Sequence, residues 1–139
     1  MRPLTLDITG FGTYCKPTHI DFLQFGNSGL YLITGDTGSG KTTIFDAITY
    51  ALYGVVNGSD RQVNMLRSTF ADLDTPTVVE LCFEYNGKTY NVKRNPRYER
   101  RAKKGEGTTV ENADATLTMP DGSVITQESK VTADRKSVV

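Results

Sequence analysis

The stretch GLYLITGDTGSGKTTIFDAITYALYG, Gly29–Gly54, decides how this chain is read. Its first residues, Leu30-Tyr31-Leu32-Ile33, form a short apolar run between Gly29 and Gly35, which suits a strand covered on both faces. From Lys41 to Tyr53 the spacing becomes helical, with Ile44, Phe45, Ile48, Ala51 and Leu52 recurring at three and four residues and Gly54 placed as a C-terminal cap. Between the two stands Gly35-Asp36-Thr37-Gly38-Ser39-Gly40-Lys41-Thr42, which satisfies G-x-x-x-x-G-K-[ST] in its required strand–loop–helix setting. The pattern has a physical purpose. Backbone N–H groups from about Gly38 to Thr43 can converge on phosphate oxygens only where no Cβ blocks the approach, and the helix start turns its unpaired N–H groups and positive dipole end to the same anion. Asp36, Thr37, Gly38, Ser39, Gly40, Lys41, Thr42 and Thr43 are therefore the expected nucleotide contacts. Lys41 is expected to reach the β- and γ-phosphates and the Thr42 hydroxyl to ligate Mg²⁺, which makes ATP and Mg²⁺ the expected cofactors.

Working outward, Leu4, Leu6 and Ile8 alternate with polar residues, and Thr18–Phe22 alternates again with Ile20 and Phe22 inward, so the two predict a hairpin across GFGTYCKP. Residues 55–76 are polar and weakly patterned, with a turn of helix expected near Val63–Arg67. Val79, Leu81, Phe83 and Tyr85 then alternate up to Asn86-Gly87, and Tyr90 and Val92 after it. Asn-Gly between two such runs predicts a hairpin, because both residues tolerate the positive φ of a type I′ turn. A further hairpin is predicted from Ala115, Leu117 and Met119 through Pro120-Asp121-Gly122 to Val124. The last fifteen residues lack a closing pattern.

The chain has 139 residues, the size of one ordinary domain. Its 16 Lys and Arg balance 16 Asp and Glu, so any attraction to nucleic acid must come from a local patch. Residues 93–104 are such a patch, with seven positive charges and one Glu. Lys93, Arg94, Arg97, Arg100, Arg101, Lys103 and Lys104 are candidates for DNA phosphates, with Tyr98 available to stack; the competing reading is a solvated hairpin. No apolar run approaches the ~18 residues of a membrane span, and no signal-like segment opens the chain, so a soluble, cytoplasmic protein with no membrane partner is expected. Cys15 and Cys82 stand 67 residues apart beside a single His19, which predicts two buried free thiols and no zinc set. His19 receives no chemical role.

The 29–54 stretch, preceded by Gly10-Phe11-Gly12-Thr13-Tyr14, resembles the amino-terminal half of the bacterial SbcC family, the SMC-like ATPase subunits of SbcCD nucleases. The likeness runs on less specifically through Val79-Glu80-Leu81-Cys82-Phe83 and Tyr90-Asn91-Val92-Lys93-Arg94 to Asp121-Gly122, covering residues 1–125 or so; FDAITYALYG is its most family-specific part. It implies an α/β P-loop NTPase lobe of an ABC-type head, with a mixed sheet and antiparallel hairpins, and residues 1–139 as the amino-terminal lobe. It further implies four partners: the carboxy-terminal lobe of the same protein, a second head of a homodimer, an SbcD-type nuclease subunit, and double-stranded DNA ends. By the same resemblance Gly12 and Thr13 lie where adenosine-side contacts arise, and Arg67 matches an arginine extended toward nucleotide.

The sequence lacks a run of four apolar residues followed by Asp-Glu, an LSGG-type signature, a glutamine loop and a late His switch. Hydrolysis needs a positioned water and an acidic group near it, so the reading is an ATP-binding lobe incomplete for turnover alone. Two alternatives stand beside it. One is a small P-loop metabolite kinase with the basic stretch as its lid; the other is a non-catalytic, nucleotide-gated interaction module.

Overall fold

The period-two segments fold as their alternation dictates. In the computed structural model, which describes residues 1–56 and 62–138, Arg2–Thr9 forms β1 and pairs antiparallel with β2, Thr18–Asp21. Part of the expected 55–76 loop, residues 57–61, lies outside the described residues. Leu6 and Ile8 are fully buried, while Leu4 is only half-buried because the register of β1 against the next strand shifts between Pro3 and Thr5. A bulge leaves its extra residue out of the alternation.

The Asn86-Gly87 hairpin forms as predicted. β3, Val78–Tyr85, returns as β4, Lys88–Asn95, with φ of 49° at Asn86 and 72° at Gly87. Phe83 and Tyr90 sit opposite each other with stacked rings, centroids 5.4 Å apart. β5, Tyr98–Arg101, and β6, Thr108–Glu111, make a separate two-stranded hairpin. β7, Asp114–Thr118, and β8, Val124–Thr126, close the series. The main sheet runs β2-β1-β3-β4-β7-β8, antiparallel throughout. In the last pair Leu117 faces Ile125, so Ile125 packs on the core and Val124 is exposed.

The helix after the glycine loop is α1, Lys41–Tyr53, closed by Gly54 in the left-handed conformation with its N–H on the Tyr50 carbonyl at 2.8 Å. Its buried face is Thr43, Asp46, Ala47, Tyr50, Ala51 and Leu52, rotated from the expected stripe; Phe45 is exposed and Ile44 and Ile48 are half-buried. The helix is apolar on two sides, and the sheet takes the side with small residues and Tyr50. The core is the layer between that face and Leu6, Ile8, Val79, Leu81, Phe83, Val92, Ala115 and Leu117.

Two expectations fail. Leu30–Ile33 joins no ladder among the described residues, and Leu30 and Leu32 are 84% and 89% exposed. The expected strand, covered on both faces, is a segment outside the sheet with its two leucines exposed. Tyr31 and Ile33 are half-buried, Tyr31 packing on Phe22 and Phe25, and the whole run borders an apolar cavity of about 480 Å³ that Ile44 also lines. The chain end is not irregular either. Glu128–Val138 forms α2, whose Val131 is fully buried. With a single buried apolar residue among the described residues of α2 there is no period to read, and the helix propensity of Glu, Lys, Ala and Arg is the signal that remains. No helix among the described residues is long and apolar enough to cross a membrane.

Candidate nucleotide site

The loop from Gly35 to Gly40 turns back on itself before α1 begins. Ser39 N–H donates to the Asp36 carbonyl at 3.1 Å, and Ile44 N–H to the Gly40 carbonyl at 3.3 Å, which is the first full helical bond. Lys41, Thr42 and Thr43 therefore open the helix with N–H groups that have no intrahelical acceptor, and Gly40 has no side chain to cap them. Unpaired N–H groups and the positive end of the dipole make such a helix start suited to an anion.

Glycine is required at position 40. Its φ is +95°, and a Cβ there would stand 2.7 Å from Thr13 Oγ1 and 3.0 Å from the Tyr14 hydroxyl. The Gly12-Thr13-Tyr14 turn thus packs directly on the loop: Tyr14 donates to the Gly40 carbonyl at 3.4 Å and Thr13 Oγ1 to Thr43 Oγ1 at 3.3 Å. Thr13, Thr37, Gly38, Gly40, Lys41, Thr42 and Thr43 line a concavity of about 390 Å³. A second one, of about 300 Å³, shares Thr13 and Thr43 and adds Gly12, Asp46, Gln62 and Leu66. The sequence-predicted loop residues and Gly12-Thr13 are thereby brought together.

Lys41 bends over its own loop. Its Nζ donates to the carbonyls of Gly35 and Asp36, the latter at 2.7 Å, and to Ser39 Oγ at 3.4 Å. These are neutral acceptors, and a phosphate oxygen is a stronger, charged one for the same ammonium. Thr42 is exposed in the first turn. Mg²⁺ takes one or two protein oxygens plus phosphates and water, so a lone hydroxyl beside a phosphate cradle fits that donor set.

Arg67 is placed differently. Its backbone bridges to Phe11, beside Gly12 N–H on the Leu66 carbonyl at 2.8 Å. Its guanidinium donates to the Thr75 carbonyl at 2.9 Å, Thr77 Oγ1 at 2.6 Å and the Asp72 carbonyl at 2.6 Å, and stacks 5.0 Å from the Tyr98 ring centroid. The Thr75 hydroxyl and amide and the Asp74 amide hold the Asp72 carboxyl of that turn below its ordinary range. Sequence reasoning missed Tyr14 and Asp46. Asp46 is buried in α1, three residues after Thr43 on the same face, and a carboxylate among the apolar positions was the available signal.

The basic stretch divides. Arg94 is buried and leaves the surface set. Arg100 pairs with Glu111 at 2.5 Å and Arg101 with Asp74 at 2.7 Å, which offsets part of the hairpin's charge; Lys103 and Lys104 are exposed. Both cysteines are free but half-buried rather than buried; burial, then Glu80, raises the Cys82 thiol above its usual range. His19 Nδ1 lies 2.6 Å from Asp7 Oδ1 on the exposed face of β1 and β2.

Compared with known proteins, residues 5–136 match the model of a family described as AAA domain. The chain belongs to that family. Within it, the chain is similar to the SbcC component of the SbcCD nuclease of Vibrio cholerae, 43% identical over 117 residues, covering 84% of this chain and 12% of the relative. It is similar to the protein of the same name from Staphylococcus aureus, 40% identical over all 139 residues and 13% of that relative. The chain thus spans about an eighth of the length of these relatives. A solved SMC head domain from Thermotoga maritima superimposes with a TM-score of 0.47 at 24% identity, over 99% of this chain and 42% of that one.

Proposed function

We propose that this chain is the amino-terminal lobe of an SMC-like ATPase head, which grips Mg·ATP and works with a nuclease subunit on double-strand breaks and hairpin DNA ends. The observation that carries this reading is the junction at residues 35–43, where a glycine loop, a helix start with unpaired amides and Lys41 share one concavity. In the proposed complex Lys41 exchanges its carbonyl partners for β- and γ-phosphate oxygens, the amides of Lys41, Thr42 and Thr43 take further oxygens, and Gly12 and Thr13 border the nucleoside side. Thr42 Oγ1 would hold Mg²⁺, whose charge when bound offsets that of the phosphates. Arg67 reaches nucleotide only by releasing three acceptors, so we give it a supporting place under the Gly12 turn.

Hydrolysis requires parts this lobe does not carry. We infer that a carboxy-terminal lobe covers Leu30 and Leu32 and that a second head of a homodimer closes over the nucleotide. An SbcD-type nuclease subunit and DNA ends complete the assembly, the DNA meeting Arg97, Arg100, Arg101, Lys103 and Lys104. The 40–43% identity to SbcC proteins supports this assignment. A metabolite kinase is disfavoured, because an antiparallel sheet follows α1 where kinase cores continue with parallel βαβ units.

Turnover separates the readings. The chain alone should hydrolyse almost no ATP, and adding the carboxy-terminal lobe should restore hydrolysis; activity that appears only with a small phosphoryl acceptor would replace this reading with the kinase. For DNA, changing Arg100, Arg101, Lys103 and Lys104 to Glu in the full-length protein should flatten the salt dependence of binding. Each lost phosphate contact should remove ~0.9 from the log–log slope. Identical slopes would leave the hairpin a solvated face.

A further inference from the structure

α1 presents the phosphate loop at one end, and a buried cation holds the other. Arg94 is 1% exposed and the largest of the fully buried side chains. It follows Tyr90 and Val92 in the alternation of β4, so the pleat turns it to the core face. A guanidinium removed from water costs several kcal/mol unless its donors find acceptors. Arg94 finds them on two elements. Nε donates to the Ala51 carbonyl at 3.1 Å, while Nη1 and Nη2 reach Thr132 Oγ1 at 3.5 and 3.4 Å and Nη1 reaches Glu128 Oε1 at 3.5 Å. Ala51 lies in the last turn of α1, where the helix dipole favours a cation; Glu128 and Thr132 lie in the first turns of α2. Gly54 makes the approach possible, since a Cβ there would stand 2.8 Å from Nη1. Next to this cation the Tyr50 hydroxyl is buried with no hydrogen-bond partner among the described residues, and burial raises its phenol above the ordinary range.

From this geometry we propose that Arg94 is a positioning residue that couples α2 to the grip of the phosphate loop on nucleotide. The proposal rests on the nucleotide reading above and adds to it a route from α2. α1 has 13 residues and is about 20 Å long, a rigid rod whose C-terminal setting fixes where its N-terminal amides point. The bond to Ala51 is the shorter; those to α2 are longer and give way first. A planar fork with donors in several directions can serve both helices at once, which the single ammonium of a lysine cannot. Linkage then runs both ways: whatever factor docked α2 adds to nucleotide affinity, bound nucleotide adds to the docking of α2.

The test uses the full-length protein. Mg·ATP is titrated calorimetrically into wild type and into Thr132→Val and Glu128→Gln, changes confined to α2, and amide exchange across α2 is followed with and without ATP in wild type and Arg94→Lys. Wild type should bind ATP, each α2 variant should bind roughly 5-fold more weakly, and ATP should slow α2 exchange in wild type but not in Arg94→Lys. Wild-type affinity in both α2 variants, with α2 exchange indifferent to ATP, overturns the coupling while leaving nucleotide binding in place. Failure of wild type itself to bind ATP overturns the nucleotide reading and the coupling with it.

Discussion

Two regions of the molecule that meet α1 are built on opposite terms. On one side the antiparallel sheet satisfies itself: Leu81 of β3 is fully buried, its neighbours Leu6 and Val92 lie in register with it, and α1 covers all three. On the other side Leu30–Ile33 has the composition of an interior strand, yet among the described residues it has no ladder partner, and Leu30 and Leu32 are exposed. This contrast is what motivates the proposal that Leu30 and Leu32 meet a counterpart.

The sharpest way to break that contrast is one chemical change made in both regions. Leu81→Ala should cost about 2–5 kcal/mol, the range for a leucine deleted from a packed core, seen as a lowered urea midpoint. Gly40→Val comes next. Forcing a β-branched residue to φ +95° against Thr13 should destabilise the fold by about 1–3 kcal/mol and remove ATP binding, read by thermal melting and calorimetry together. Gly87→Ala, in the Asn-Gly turn, should cost about 1–2 kcal/mol by the same melt and leave the loop's affinity unchanged. Leu32→Ala should move the stability of this chain by less than about 0.5 kcal/mol, as at most exposed sites, yet weaken binding of an added carboxy-terminal lobe in a pull-down. A Leu32→Ala cost equal to that of Leu81→Ala would erase the distinction.

Local patterns were legible wherever their consequences are local. The three hairpins, Asn86-Gly87, α1 and its Gly54 cap follow from alternation, turn chemistry and helical spacing. What escaped reading depended on distant partners. Leu30–Ile33 reads as a buried strand because composition records burial without naming what buries it. Arg94 reads as surface charge because it stands in a basic run, although the alternation Tyr90, Val92, Arg94 already pointed it inward. Among the described residues α2 carries one buried apolar residue, Val131, too few to set a period. At the candidate site, the spacing of the glycine loop named residues that the structure gathers around one concavity, whereas Tyr14 and Asp46 come beside them only through the packing of the Gly12 turn on α1.

Everything proposed for this lobe depends on Lys41 and the amides behind it gripping a polyphosphate. Among the described residues Lys41 bonds only to its own loop, so Lys41→Ala should leave the circular dichroism spectrum unchanged. Titrated with Mg·ATP in a calorimeter, the native chain should give a saturable binding isotherm and the variant none. Equal affinity of the two would contradict the account.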